Sequence, residues 1–174
     1  MAGSLIKIAE TTVTSATASV TLTGIDSTYD VYMVKANNVT VGTNNVYVKF
    51  RFTESGTPNT TANYDVAYKE LRAYAAFGNV SATDETSAYF SSKAIGTGTQ
   101  EQSNSIHYIF NANNSSEYTF YTMEVTLRDQ SAGNHNGGQG GGVFTSASTV
   151  DGLQIFAASG DIETGVFSLY GYKK

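Results

Sequence analysis

The sequence predicts an all-β protein built as a single jelly-roll-like antiparallel β-sandwich, and three observations support this. Residues that suit the half-buried surface of a sheet are frequent, including 12 Tyr and 9 Phe. Apolar and polar residues alternate in several runs, as in strands that bury one face. Turn residues divide these runs at short intervals, a spacing typical of a sandwich or barrel.

The alternating runs place most of the strands. The clearest is Val46 to Thr53, where every second side chain is apolar and the intervening ones include Lys49 and Arg51. The run from Tyr118 to Asp129 alternates in the same way. Further strands are predicted over Ala18–Gly24, Tyr29–Met33, Thr86–Ile95, Ile106–Phe110, Val143–Phe144, Leu153–Ala157 and Val166–Tyr170.

Residues 64–77 fit two interpretations. Tyr64, Ala67, Tyr68 and Leu71 have helical spacing, which favours one short helix capping an end of the sandwich. A strand beginning at Val66–Tyr68 is the alternative. No linker divides residues 1–174, so they form one domain, in which residues 1–10 are predicted to be a loose N-terminal arm.

The composition argues against several classes of partner and site. The net charge is −5, and the ten basic residues form no patch that would neutralise phosphates, so neither nucleic acid nor an anionic membrane surface is an expected partner. The chain has no Cys, which excludes disulfides and thiolate metal sites. It also has no apolar run of 18 residues that would indicate a membrane-spanning helix.

The glycine-rich stretch Gly133 to Gly142 is the most conspicuous local feature. A phosphate-binding loop would need a preceding strand, a following helix and a Lys or Ser/Thr at fixed spacing, and these do not follow here. We therefore predict a loop between strands. On the exposed tip of this loop, Asn134, His135, Asn136 and Gln139 form a candidate contact surface.

No residue set nominates a catalytic, cofactor-binding or metal-binding site. The two histidines, His107 and His135, are too few for a metal centre without further ligands, and His107 lies opposite the face that carries Ile106, Tyr108 and Phe110. No serine lies in a Gly-x-Ser-x-Gly elbow, most carboxylates lie in turns, and Trp is absent. The chain is therefore expected not to be an enzyme.

The last two predicted strands point to a partner. Leu153–Ala157 and Val166–Tyr170 are apolar on both faces, whereas a strand on the surface of a sandwich needs only one apolar face. One face belongs to the core, and the other is expected to be covered by another copy of the chain or by a larger assembly.

Three segments resemble small virion proteins of tailed bacteriophages. They are SLIKIAETTVTSATASVTLTGIDSTYDVYMV at the start, FRFTESGTPNTTANYDVA in the middle, and VDGLQIF with SGDIETGVFSLYG at the end. The resemblance implies a β-sandwich subunit of a virion, made in the host cytoplasm, that forms a homo-oligomer, often a trimer.

The resemblance implies two roles without catalytic residues. The first is capsid decoration or cement, in which the partners are the chain itself and the major capsid protein. The alternative is a tail-associated host-recognition protein that meets tail proteins and host surface glycans, through loops such as Gly56–Asn63 and Gly133–Gly142.

Overall fold

A computed structural model describes residues 4–130 and 133–172. Within these ranges the regular structure consists of thirteen strands and no helix, and every strand pairing is antiparallel, so the predicted all-β antiparallel sandwich is confirmed. The strands are β1 Leu5–Val13, β2 Ser19–Thr23, β3 Val31–Val41, β4 Val48–Glu54, β5 Thr57–Pro58, β6 Tyr64–Arg72, β7 Gly78–Glu85, β8 Ala88–Tyr89, β9 Ser103–Phe110, β10 Thr119–Arg128, β11 His135–Phe144, β12 Val150–Ala157 and β13 Ile162–Tyr172.

The strands form two sheets of unequal width. The wide sheet has eight strands in the order β1-β13-β3-β9-β10-β11-β6-β7. The narrow sheet has the order β2-β12-β4-β5, and the short strand β8 pairs with β4. With no helix in the described ranges, none is available there to cross a membrane.

The core lies between the inner faces of the two sheets and is dominated by aromatic rings. Phe50 and Phe52 of the narrow sheet are almost fully buried. Both pack against Tyr121 of the wide sheet, with ring centroids 5.1 and 6.4 Å away, and Phe52 also packs against Phe144 at 5.7 Å. Offset and edge-to-face contacts of this kind add to the free energy gained by burying apolar area.

Two predicted strands have the expected faces, and their ends lie within two residues of the predicted ones. In β4, Val48, Phe50 and Phe52 are buried and Lys49 and Arg51 are more exposed. In β10, burial alternates at every residue, with Tyr121, Met123, Val125 and Leu127 on the inner face. In both runs the alternation in the sequence corresponds to the two faces of a half-buried strand.

The helix favoured over residues 64–77 is wrong, because residues 64–72 form strand β6. Burial there has a period of two, with Tyr64, Val66, Tyr68 and Glu70 facing inward. The helical pattern needed Ala67 and Leu71, which lie on the opposite, outer face of the strand. Pairing with β11 and β7 therefore decides the conformation. Residues 73–77 form the turn to β7.

The loop predicted over Gly133–Gly142 is also wrong. Residues from His135 onward form β11, an interior strand of the wide sheet that pairs with β10 and β6 along its whole length. Glycine is required here by space: a Cβ on Gly141 would overlap the Tyr121 carbonyl oxygen, and one on Gly140 would overlap the Ala67 carbonyl oxygen. The neighbouring strands therefore come too close for side chains at these positions.

Two smaller predictions need correction. The described part of the predicted N-terminal arm is not loose, because β1 pairs with β13 from Leu5 to Val13; residues 1–3 lie outside the described ranges. The strand expected over Thr86–Ile95 is reduced to Ala88–Tyr89, with an isolated bridge between Ile95 and Val46. Its buried serines, Ser91 and Ser92, lie in turns instead of a regular ladder.

We expect alanine to be tolerated at one glycine of β11 and not at another. Gly141→Ala should lower the free energy of unfolding by about 3 kcal/mol, because its methyl group would meet backbone. Gly137→Ala is the matched control: its nearest neighbour would be Leu71 Cβ at 3.4 Å, so stability should stay within about 1 kcal/mol of wild type. Urea unfolding measures both, and equal effects would contradict the steric explanation.

Candidate functional site

The candidate site is the outer face of the wide sheet, the surface that faces away from the narrow sheet. Strand register arranges its side chains in four rows that run across the strands. The polar row is Thr12, Val166, Asn37, Asn104, Thr126, Gly137 and Leu71. The central row is Glu10, Ser168, Lys35, Ile106, Glu124, Gln139, Lys69 and Asn79. The tyrosine row is Lys7, Tyr170, Met33, Tyr108, Thr122, Gly141, Ala67 and Ser81, and the aromatic row is Leu5, Tyr172, Val31, Phe110, Phe120, Val143 and Asp65.

The central row carries alternating charge. Lys35 and Glu124 flank Ile106 on the two neighbouring strands, and Glu10 and Lys69 lie further out on opposite sides. Ser168 Oγ donates a hydrogen bond of 2.9 Å to Glu10 Oε2. This bond, followed by the interaction with Lys7, lowers the pKa of the Glu10 carboxyl below its ordinary value. Glu10 is therefore charged at neutral pH.

The aromatic row leaves large apolar side chains in solvent. Phe120 is 48% exposed and Tyr172 is 37% exposed, and Tyr118, next to this end of β10, is 46% exposed. The Tyr108 and Tyr172 rings lie 6.0 Å apart, and the interaction with the Tyr172 hydroxyl raises the pKa of the Tyr108 hydroxyl. A contiguous exposed apolar patch on a water-soluble protein indicates an interaction surface.

An open cleft of about 740 Å³ lies beside the aromatic row. The backbone of Gly141 and Gly142 lies along it, the exposed Phe120 ring borders it, and Asp65 and Ser81 contribute polar atoms. The Asp65 carboxylate already accepts a hydrogen bond of 3.0 Å from the Asp84 backbone amide. The cleft exists because β11 has no side chains here, which makes it a recess able to take a bulky side chain.

The four predicted contact residues separate into two environments. His135 and Gln139 are exposed on the outer face, and His135 Nε2 lies 3.0 Å from Thr126 Oγ1. Asn136 is fully buried on the inner face, where its amide nitrogen donates to Asp129 at 2.8 Å. Asn134 is half-buried, and its backbone amide donates to the same carboxylate at 3.1 Å.

The two histidines are not brought together. His135 is on the outer face, whereas His107 is buried on the inner face and stacks on Phe90 with ring centroids 4.3 Å apart. Burial lowers the pKa of the His107 imidazole to about 3, and a backbone contact with Phe90 opposes this with a smaller effect. Over the described ranges, no three His, Cys, Asp or Glu side chains are grouped so as to hold a metal ion.

Sequence reasoning missed the outer-face rows. The face shared by Ile106, Tyr108 and Phe110 was correctly separated from that of His107, and the structure makes it the outer, half-exposed one. Alternation assigns residues to two faces of a strand, but it does not give the register that sets Lys35, Ile106 and Glu124 side by side. The signal available in the sequence was the pair of opposite charges, Lys35 and Glu124, on two strands whose buried residues are mainly apolar.

Comparison with known proteins does not identify a family for this chain. No protein-family model matches the chain, and no curated protein matches it. One solved structure, a fructofuranosidase variant from Schwanniomyces occidentalis complexed with fructosylnystose, aligns with 97% of this chain and 33% of that chain, at 7% sequence identity and a TM-score of 0.23. The chain thus spans about a third of that structure, and a TM-score this low carries no argument about fold or function.

Buried His107 predicts a specific pH dependence of stability. Above pH 6.5 the imidazole is neutral in both states; as the pH falls toward 3, the unfolded chain binds a proton that the folded chain does not. Stability should therefore fall by up to about 1.4 kcal/mol per pH unit, or about 2 kcal/mol between pH 7 and pH 5.

Substitution of the histidine tests this. His107→Phe keeps an aromatic ring against Phe90. In this variant the loss of about 2 kcal/mol between pH 7 and pH 5 should disappear, even if its free energy of unfolding at pH 7 differs from that of wild type. His135→Gln, at the exposed histidine, is the control and should keep it. Urea unfolding at pH 7 and pH 5 gives the comparison, and an unchanged slope in His107→Phe would show that another group is responsible.

Proposed function

We propose that this chain is a non-enzymatic structural protein of a bacteriophage virion, an oligomeric subunit that decorates or cements the capsid. The observation that carries the proposal is the outer face of the wide sheet, which presents four ordered rows of side chains to solvent, including the exposed rings of Phe120 and Tyr172. A surface of this breadth and aromatic content suits packing against a neighbouring subunit. The resemblance to small virion proteins supports the same role.

The rigidity of the subunit supports a structural role. The described strands are joined by mostly short connections, and interlocked aromatic rings fill the space between the sheets. Stability of this kind comes from packing and not from cross-links, since the chain has no Cys. A protein made in a reducing cytoplasm and then exposed outside the cell benefits from such a core.

The alternative is a tail-associated protein that recognises host receptors or glycans, and one observation favours it. The cleft beside Phe120 combines an exposed aromatic ring with the Asp65 carboxylate and the Ser81 hydroxyl. Aromatic rings stack on the apolar face of a sugar, while carboxylates and hydroxyls bind its OH groups. The Gly133–Gly142 stretch offers no glycan-binding loop in this alternative, because most of it is strand β11.

Binding to separated virion parts distinguishes the two roles. We expect the labelled chain to co-sediment saturably with tail-free capsids of the phage that encodes it, and not with isolated tails or host cells. Binding to tails or cells alone would support the alternative and overturn capsid decoration. Binding to none of the three, by a folded sample, would contradict both roles.

The proposal also predicts self-association. Light scattering behind a sizing column should give a mass at least twice that of the 18.5 kDa chain. The trimer expected from the resemblance is one such assembly. A monomer at concentrations of about 10 µM, well above a typical specific dissociation constant, would argue against an oligomeric structural subunit.

A further inference from the structure

We propose that the outer face of the wide sheet pairs with the same face of a second copy, about a two-fold axis that lies between the two faces, parallel to β9 and over Ile106. This inference deepens the proposed function and rests on it, because it names the partner and the geometry of one contact. It is argued from the register of the wide sheet and from the charges and sizes of the side chains on its outer face.

The central row is self-complementary about that axis. Strand β9 has β3 and β10 on its two sides, then β13 and β11, then β1 and β6. Rotation about β9 therefore sets Lys35 against Glu124 of the second copy and Glu10 against Lys69. Ser168 meets Gln139, and Ile106 meets itself. All four charged side chains of the row then face an opposite charge, and each ionic contact occurs twice.

Other positions of the axis fail this test. An axis along β10 would set Glu124 against itself, and one along β3 would set Lys35 against itself. An axis between β9 and β10 would bring Ile106 against Glu124 and leave Lys35 facing Gln139, with no opposite charges paired. Like charges held together and charges buried without a partner both disfavour an interface. Of these, the β9 axis is the one that pairs every charge of the central row. Lys7, in the tyrosine row, falls on Ala67 of the second copy, and its Nζ lies 3.2 Å from Glu10 Oε2 of its own chain.

In the neighbouring rows, the same rotation sets a large side chain over glycine and covers exposed rings. In the tyrosine row, Tyr170 falls on Gly141 of the second copy, so a bulky side chain meets the recess that the glycines of β11 leave open. In the aromatic row, Val31 falls on Phe120 and Tyr172 on Val143, which covers the most exposed rings. The polar row places Asn37 against Thr126. At this end of the face, apolar groups thus meet apolar groups on the strands nearest the axis, whereas at its edges Leu5 falls on Asp65 of the second copy.

The shape and area of the face are sufficient for a stable contact. Rotation about the β9 axis superposes seven strands, from β1 to β6, and leaves β7 outside the contact. Seven strands that each occupy about 4.8 Å cover about 34 Å, and four rows that each occupy about 6.8 Å cover about 27 Å, or about 900 Å² per copy. A standard protein–protein interface buries about 800 Å² per partner. A twisted sheet rotated about an axis parallel to one of its strands keeps the same twist at each position, so the two faces stay in contact across the seven strands that overlap.

Charge reversal with rescue tests the pairing. Sedimentation velocity over about 0.1–100 µM should give a dimer for the wild-type chain, or a hexamer if the trimer expected from the resemblance also forms. K35E and E124K should each weaken the pairing by about 100-fold, since each creates two like-charge contacts. The double variant K35E/E124K should recover to within about tenfold, because the exchanged charges again face each other.

A mixture of the two single variants gives a second readout. K35E and E124K combined should associate with each other while each alone does not, since the mixed pair has opposite charges at both contacts. K49E is the control: it makes the same charge change on the outer side of the narrow sheet, and pairing should stay within about threefold of wild type. Circular dichroism and thermal unfolding confirm that each variant is folded.

Three results would overturn the inference. They are a wild-type mass that is not an even multiple of the chain, folded single variants that associate like wild type, and a folded double variant that does not recover. If the wild-type chain forms a trimer whose mass K35E does not change, the two-fold contact is wrong, while the proposed virion role is unaffected. If the chain pairs as expected but does not bind capsids, the virion role is contradicted and the two-fold contact stands.

Discussion

The contact between the two phenylalanines of β4 and the aromatic rings of the wide sheet is the interaction on which the rest of the structure depends. The narrow sheet is short, and Phe50 and Phe52 are its largest side chains in the core. They contact Tyr121, Tyr64 and Phe144 on three neighbouring strands of the wide sheet. Because these rings join the sheets, most inner-face side chains of the wide sheet are buried, while its outer face meets solvent.

Local alternation predicted the strands that matter most to this core. Lys49 and Arg51 mark the outward positions of β4 unambiguously, and the polar residues of β10 do the same. Prediction failed where side chains carry little information about the conformation. Residues 64–72 satisfy two periods at once. The glycines of β11 have the composition of a loop, although neighbouring backbone excludes a side chain at Gly140, Gly141 and Gly142. In both cases the deciding constraint comes from strands distant in sequence.

The outer face could not be predicted for a related reason. Its rows join residues far apart in the chain, as in the hydrogen bond between Glu10 and Ser168, which are 158 positions apart. Alternation along a strand shows which of its residues share a face. Strand order and register are also needed to show which residues of different strands are neighbours. Two of the four predicted contact residues, His135 and Gln139, do lie on this face, whereas Asn136 stabilises the β10–β11 turn from inside.

The glycine strand has a practical consequence for anyone who engineers this protein. A low-complexity glycine stretch is where a peptide epitope or a fused domain would ordinarily be inserted, because such stretches are assumed to be tolerant linkers. Here an insertion between Gly137 and Gly142 would split an interior strand and separate β10 from β6. The exposed connection at residues 14–16 lies outside the strands and is the better place to display a cargo.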